Sequence, residues 1–290
     1  MYAGNPICCL TNPFLGHEAE PIAKTENPKK VMVIGGGVAG LCAAFIAKEK
    51  GHEVTLYEAG DVLGGNMRLA AYPPGKGDIT NMIRSYIHRC QKDGVKIVMN
   101  CEVTPELIKE EKPDSVIIAT GSKTLILPIE GIDNPAIIHG SDLLDGKRPA
   151  GKKVLVVGGG MVGCETAAFL GEQEHDVTVI EFRDTVGADV IHEHRVYLMK
   201  DFEDYGIKEI TGAKVCKFYE DGVEYETADG VRHETRGYDS VILSMGFRNY
   251  NPLEEKIKDL VPETHVIGDA IRARRALDAT KEAYEVASRL

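Results

Sequence analysis

The sequence predicts an α/β protein made of two copies of one strand–turn–helix–strand unit, the second copy inserted into the first. Three observations predict it. Two short apolar runs, residues 31–34 and 154–157, each lead into three consecutive glycines, Gly35-Gly36-Gly37 and Gly158-Gly159-Gly160. Each triplet opens a segment of helical length, and each helix is followed by a second short run, residues 53–57 and 176–180, that meets a glutamate. The spacing repeats: Gly35 to Glu58 is 23 positions and Gly158 to Glu181 is 23 positions, as expected of one supersecondary unit used twice.

The elements follow in order. Residues 1–28 carry Pro, Gly and Asn without periodicity and predict an extended N-terminal arm. A strand at 31–34, a glycine turn, a helix over about 38–50 and a strand at 53–57 form the first unit. Residues 76–93 have helical spacing, 96–99 and 115–119 are short apolar strands, and the latter closes at Thr120-Gly121. Residues 128–151 contain Gly and Pro and predict linker and loop. The pattern restarts with a strand at 154–157, a helix over 161–172 and a strand at 176–180. Hairpin-like runs follow, with turns at Asp221-Gly222 and Asp229-Gly230, expected to cover one side of the second sheet. A strand at 240–244, a strand ending at Val266-Ile267 before Gly268-Asp269, and a helix over about 274–290 complete the chain. The domain reading is an arm at 1–28, one domain from 29–120 with 247–290, and a second domain, 121–246, inserted into it.

Composition narrows the function. The chain has 290 residues, 43% hydrophobic and 27% charged, the balance of a globular protein long enough for two domains. No run of about 20 apolar residues exists to cross a bilayer, and the N-terminus lacks a basic segment followed by an apolar one, so no membrane partner is expected. A net charge of −11 argues against nucleic acid, whose phosphates need clustered Lys and Arg. Seven cysteines without a paired framework fit a reducing, cytoplasmic setting.

The glycine turns carry the chemistry. In Gly35-Gly36-Gly37-Val38-Ala39-Gly40, Gly35 permits the tight turn, Gly37 lets backbone approach a diphosphate, and Gly40 allows close helix–strand packing. The free N–H groups of the helix start, with roughly half a positive charge, favour the phosphates. Glu58 is placed to accept hydrogen bonds from a ribose. A lone glycine pattern is weak evidence, but one with the preceding strand, the following helix and the distant acid is a strong signal of a Rossmann-like dinucleotide-binding unit. Gly158, Gly160, Gly163 and Glu181 repeat the set. Glu181 also opposes a 2′-phosphate, so NADH is expected over NADPH unless Arg183 offsets the repulsion. The first unit has features the second lacks: Leu63-Gly64-Gly65, where a glycine pair lets the chain pass close to a bulky cofactor; Ala119-Thr120-Gly121; and Gly268-Asp269, whose carboxylate can bind ribityl hydroxyls. These assign FAD to the first unit and NADH to the second.

The constellation resembles the flavoproteins with two dinucleotide-binding domains. It resembles more closely the C-terminal portion of the NADH:flavin oxidoreductases related to 2-enoate reductase, 2,4-dienoyl-CoA reductase and trimethylamine dehydrogenase. The residues that carry the likeness are 29–41 (KKVMVIGGGVAGL), 51–58 (GHEVTLYE), Pro73-Pro74-Gly75-Lys76 and Asn100-Cys101-Glu102-Val103-Thr104. The resemblance implies FAD contacts at Ala39, Glu58, Asn66, Lys76 and Val103, although Asn66 stands where a Gln or Arg is expected, and Val103 can offer only backbone and shape. It also implies a contact at Arg274 after the Gly-Asp turn, where Ala273 replaces an expected Pro. Family members carry an FMN-binding TIM barrel that reduces the activated alkene; no such barrel fits before residue 29, and an FMN-binding barrel domain or subunit is therefore an expected partner. Cys9 in Cys8-Cys9-Leu10-Thr11-Asn12-Pro13 resembles the last of four iron–sulfur ligands. The other three have no counterpart, so no cluster and no metal is expected.

Other chemistries are less well supported. No CxxC or CxxxxC pair exists for thiol–disulfide exchange, vicinal Cys8-Cys9 have poor geometry for a disulfide, and Cys164 reads as a packing residue. His192 and His194 are two apart and do not share a helix face. The expected activity is hydride transfer from NADH to FAD, without a catalytic acid or base from the chain. The alternatives are a non-catalytic domain holding ADP or FAD within a larger complex, and an assembly module docking through residues 1–28.

Overall fold

The computed structural model describes residues 7–20 and 22–290; residues 1–6 and 21 of the expected arm lie outside the described residues. The chain runs β1 (Lys30–Ile34), α1 (Val38–Glu49), β2 (Glu53–Tyr57), α2 (Asp78–Lys92), β3 (Lys96–Val98), α3 (Pro105–Glu111), β4 (Ser115–Ile118), β5 (Ser122–Thr124), β6 (Ile138–His139), α4 (Gly140–Leu144), β7 (Lys153–Val157) and α5 (Met161–Glu172). It continues with β8 (Asp176–Ile180), α6 (His192–Asp204), β9 (Lys208–Ile210), β10 (Lys214–Tyr219), β11 (Gly222–Glu226), β12 (Arg232–Thr235), β13 (Ser240–Leu243), β14 (Phe247–Asn249), α7 (Glu254–Ile257), β15 (Glu263–Val266) and α8 (Ala276–Ala287). The fold is α/β with two parallel, Rossmann-type sheets. Contacts divide it into a first unit, the described chain to Ala71 with Asp78–Lys123 and Arg248–Leu290, and a second unit, Tyr72–Gly77 with Thr124–Phe247.

The first unit is built on a parallel sheet of order β15-β4-β1-β2-β3. Its central strands are apolar on both faces, as a sheet covered on both sides requires. Val31 and Val33 of β1 point into a core with Leu41, Phe45 and Ile46 of α1, while Met32 and Ile34 point the other way, toward Ile108 of α3 and Ile257 of α7. α1 is buried almost all round because its small residues, Ala39, Ala43 and Ala47 among them, admit Ala279, Ala283 and Ala287 of α8 at close range. The N-terminal segment departs from the extended arm expected of it. Its described residues form turns seated on this core: Leu10, Phe14 and Ile22 pack there, the Tyr86 hydroxyl donates to the Leu10 carbonyl at 2.7 Å, and Phe14 meets Tyr284 edge-on at 5.7 Å. Three apolar contacts spaced unevenly along a Pro- and Gly-containing segment leave no period to read.

The second unit repeats the plan with order β6-β13-β7-β8-β9, all parallel. α4, α5 and α6 cover one face; the antiparallel meander β10–β12 covers the other, with Phe218 and Val223 against Leu155, Val157 and Leu243. Residues 128–151, expected to be loop, contain β6 and α4. Both are too short to show a period, and they form because the sheet edge beside β13 and helix α5 offer partners.

The segment Tyr72–Gly77 belongs to this second unit. Tyr72 lies against Phe169, and the Lys76 ammonium pairs with the carboxylate of Glu165 on α5, while His194 Nε2 stands 3.4 Å from the same carboxylate. Glu165 is the one buried carboxylate among the described residues. Breaking a buried pair leaves an uncompensated charge and costs ~3–5 kcal/mol; the ammonium here keeps some contact with water, so Lys76→Met is expected to cost about 2 kcal/mol, with Lys76→Arg recovering most of it. Urea unfolding of the three proteins measures this, and an unchanged midpoint in Lys76→Met would show the pair to be idle.

Candidate dinucleotide sites

The first glycine turn is shaped by close approach. Gly35 has φ +108°, and a Cβ there would lie 2.3 Å from the Ala119 carbonyl oxygen; a Cβ on Gly40 would lie 1.9 Å from the Gly35 oxygen. These two positions admit only glycine, for turn and packing. Gly37 differs, because the space where its Cβ would stand is open. Gly37 caps α1 without a side chain, and the first turn holds no acid, so the helix-start N–H groups face room for an anion. Glu58 is anchored at the end of β2. Its Oε2 accepts from the Gly36 N–H at 2.6 Å and its Oε1 from the Gly60 N–H at 2.7 Å. A carboxylate has about four acceptor positions, so about two are left for a ribose diol. A cavity of about 120 Å³ adjoins it, lined by Gly35, Glu58, Cys101, Val103, Thr120 and Tyr250.

Several expected residues converge on this turn. The Gly64 N–H donates to the Gly36 carbonyl at 2.8 Å, and a Cβ on Gly65 would stand 3.1 Å from Gly37 Cα, so the glycine pair passes directly over the turn. A polar chain links the sheet's far edge to it. Asn66 Nδ2 donates to Ser122 Oγ at 3.2 Å, Ser122 Oγ donates to Asp269 Oδ2 at 2.9 Å, and the Arg274 N–H donates to Asp269 Oδ1 at 3.0 Å. Glu282 of α8 anchors the whole, accepting from the Gly268 N–H at 2.7 Å and from the Arg274 guanidinium at 2.6 Å. Gly268 packs against Ala39, whose Cβ is 3.0 Å from where its own would be. Thr120 and Gly121 are tied to Tyr250: the Thr120 hydroxyl donates to its carbonyl, and the Tyr250 N–H donates to the Gly121 carbonyl at 3.0 Å. Lys76, by contrast, sits in the second unit on Glu165, and Arg274 spends its guanidinium on Glu282.

The second turn repeats the geometry. Gly158 has φ +105° with a would-be Cβ 2.5 Å from the Ser244 oxygen, and one on Gly163 would fall 1.7 Å from the Gly158 oxygen. Glu181 accepts from the Gly159 N–H at 2.5 Å and the Arg183 N–H at 3.0 Å. The adjoining cavity is larger, about 610 Å³, and is lined by Gly158, Gly160, Met161, Glu181, Arg183 and Met245 among others. That volume lies in the range of small-molecule sites, ~300–1,000 Å³. Cys164, in the helix behind it, is buried with Sγ 3.2 Å from the Gly159 carbonyl, and burial pushes its thiol up to about 12, which leaves it a packing group. Cys8 is exposed and Cys9 half-buried.

Sequence reasoning missed Ser122, Tyr250 and Glu282 in the first site and Asp189 in the second. Ser122 follows Thr120-Gly121 directly and was open to notice. The other three reach their sites through folding alone, from positions with no motif around them.

An adenine dinucleotide fits the residues present at each turn: both lack a Cβ ahead of the helix, and both glutamates are fixed yet keep acceptor positions free. Among the described residues no helix is long and apolar enough to cross a membrane. Comparison with known proteins agrees with this geometry. The model of the pyridine nucleotide-disulphide oxidoreductase family matches residues 29–267. The chain is 33% identical to a cinnamate reductase of Clostridium sporogenes over 98% of its own length and 43% of that protein's, and 34% identical to an NADH oxidase of Thermoanaerobacter brockii over 96% and 44%. A solved structure of 2-naphthoyl-CoA reductase with 2-naphthoyl-CoA superposes with a TM-score of 0.91 at 32% identity, covering 98% of this chain and 43% of that one. The chain thus spans less than half the length of these relatives, and it is similar to enoate-reductase-like enzymes in that part. With two glycine turns, two anchored glutamates and this match, the chain belongs to the pyridine nucleotide-disulphide oxidoreductase family, whose members are oxidoreductases that bind FAD and a nicotinamide dinucleotide.

Proposed function

We propose that the first unit holds FAD on the β1–α1 turn, that the second holds NADH on the β7–α5 turn, and that the chain is the electron-input module of a larger reductase. One observation carries the assignment of cofactor to unit. Among the described residues only the first turn has a glycine pair folded over it and an Asn66–Ser122–Asp269 chain beyond it, which gives a ligand longer than adenosine diphosphate something to meet past the diphosphate. When bound, the cofactors supply the redox step, hydride passing from nicotinamide C4 to flavin N5. The protein's share is placement. Glu58 and Glu181 hold riboses, the starts of α1 and α5 face diphosphates, and Asp269, pinned by Ser122 and the Arg274 N–H, is set to orient ribityl hydroxyls. No side-chain acid or base is assigned. The onward acceptor is proposed to sit on an FMN-binding barrel domain or partner, by likeness to the reductases above. The chain by itself is expected to reduce dyes with NADH and to leave enoates untouched, and alkene reduction by this chain would contradict the division of labour.

Glu181 makes the coenzyme choice testable. A 2′-phosphate carries about −1.5 to −2 charge. Two like charges ~4 Å apart at an effective dielectric of ~20 repel by about 4 kcal/mol. Exposed Arg183 and solvent reduce this, so NADH is expected to be favoured over NADPH in kcat/KM by ~10-fold or more, and Glu181→Gln to narrow the ratio by a similar factor. Equal efficiency with both coenzymes in the unmodified chain would refute the assignment. The small cavity beside Glu58 favours a second reading, in which the first unit holds only an ADP-sized ligand; a colourless protein after saturation with FAD would support it.

A further inference from the structure

The two glycine turns also differ at the helix start. The start of α1 opens onto space. The start of α5 is covered by a carboxylate from a distant loop: Asp189 Oδ1 accepts the Met161 N–H at 2.9 Å, and Oδ2 stands 3.2 Å from where a Gly160 Cβ would be. The loop that delivers it is firmly held. Val186 and Val190 are buried in the core of the second unit on either side of Asp189, the Gly187 N–H donates to the Gly159 carbonyl at 2.7 Å, and Arg195 Nη2 donates to the Val186 carbonyl at 3.1 Å. The Asp189 side chain itself is exposed and lines the 610 Å³ cavity. A backbone fixed by two valines thus presents an exposed carboxylate to the point where the helix dipole and helix-start N–H groups favour negative charge.

We propose that Asp189 sets the affinity of the nicotinamide-nucleotide site by competing with the incoming diphosphate for the start of α5. Two anions cannot share those donors, so the carboxylate swings out when the nucleotide arrives and returns when it leaves. Among the described residues the first turn has no such competitor. The pair of sites is thereby sorted into one that keeps its cofactor and one that exchanges it, as a substrate site must. The inference rests on the reading of the second unit as the NADH unit.

The test is calorimetric titration of the flavin-loaded full chain with ADP-ribose, in the unmodified protein, Asp189→Asn and Asp189→Ala. Loss of a helix-capping carboxylate is worth ~0.5–2 kcal/mol, so Asp189→Ala, which removes the competitor, is expected to bind ADP-ribose ~2- to 30-fold more tightly. Asp189→Asn, which keeps the acceptor and drops the charge, is expected to fall between. The KM for NADH should drop in the same order, flavin content should stay constant, and the ligand-free Tm of Asp189→Ala should fall, because its helix start is left uncapped. Equal or weaker ADP-ribose binding by both variants, with the unmodified chain binding normally, overturns the role of Asp189 alone. No binding in any of the three removes the nucleotide assignment of the second unit, and the proposal with it.

Discussion

Gly40→Ala is expected to yield a chain that carries little flavin. The added methyl would stand 1.9 Å from the carbonyl oxygen of Gly35, a backbone atom in the turn itself. No side chain can rotate to relieve that contact, so α1 must lift from β1. Overpacking a tight core costs ~1–3 kcal/mol, and a backbone neighbour puts this site at the upper end or beyond it. The same displacement moves the N–H groups of Gly37, Val38 and Ala39 away from the diphosphate. A loss of about 3 kcal/mol is roughly two powers of ten in affinity. Flavin absorbance per chain, read after purification and after saturation with FAD, should fall by about tenfold or more. A variant that retains full flavin would show that the close approach of Gly40 does not position the cofactor.

Gly163→Ala is the matching experiment in the second unit, and its outcome should be the opposite one. Its methyl would fall 1.7 Å from the Gly158 oxygen. Flavin should remain bound, because none of the residues around the first turn is touched. NADH should reduce that flavin about 100-fold less efficiently, on the same ~3 kcal/mol scale. Stopped-flow bleaching of the flavin by NADH measures this, with dithionite as the control that the flavin is still reducible. Together the two variants separate holding the flavin from delivering electrons to it. Loss of flavin in both would mean that the two turns do not serve separate ligands.

Both turns were legible in the sequence because what they demand is local. A strand, a glycine with positive φ, a helix start without a cap and an acid 23 positions on are all written within one short stretch, and in the structure Gly35, Gly40 and their counterparts stand at close backbone approaches while Glu58 and Glu181 accept from N–H groups of the turns. Strands β2 and β8 and helix α5 have the limits their patterns predict. What escaped reading is carried by contacts between distant positions. Glu282 reaches Gly268 from α8, and Asp189 reaches Met161 across 28 positions through a loop with no motif. Lys76 finds its partner 89 positions away, on a helix of the other unit than its sequence neighbours suggested. The described part of the N-terminal segment departs from the expected arm for the same reason: Leu10 and Phe14 are half-buried against α1, α2 and α8, and nothing near them in sequence announces it. Short elements such as β6 and α4 are fixed by the edge they join rather than by any period of their own.

The most direct test is to saturate the chain with FAD, remove the excess, identify the retained nucleotide by mass spectrometry, and titrate it with NADH in the absence of oxygen. The account predicts that FAD stays in a stoichiometric amount and that about one equivalent of NADH bleaches it. Retention of ADP instead, or a bound flavin that NADH leaves oxidised, would contradict it.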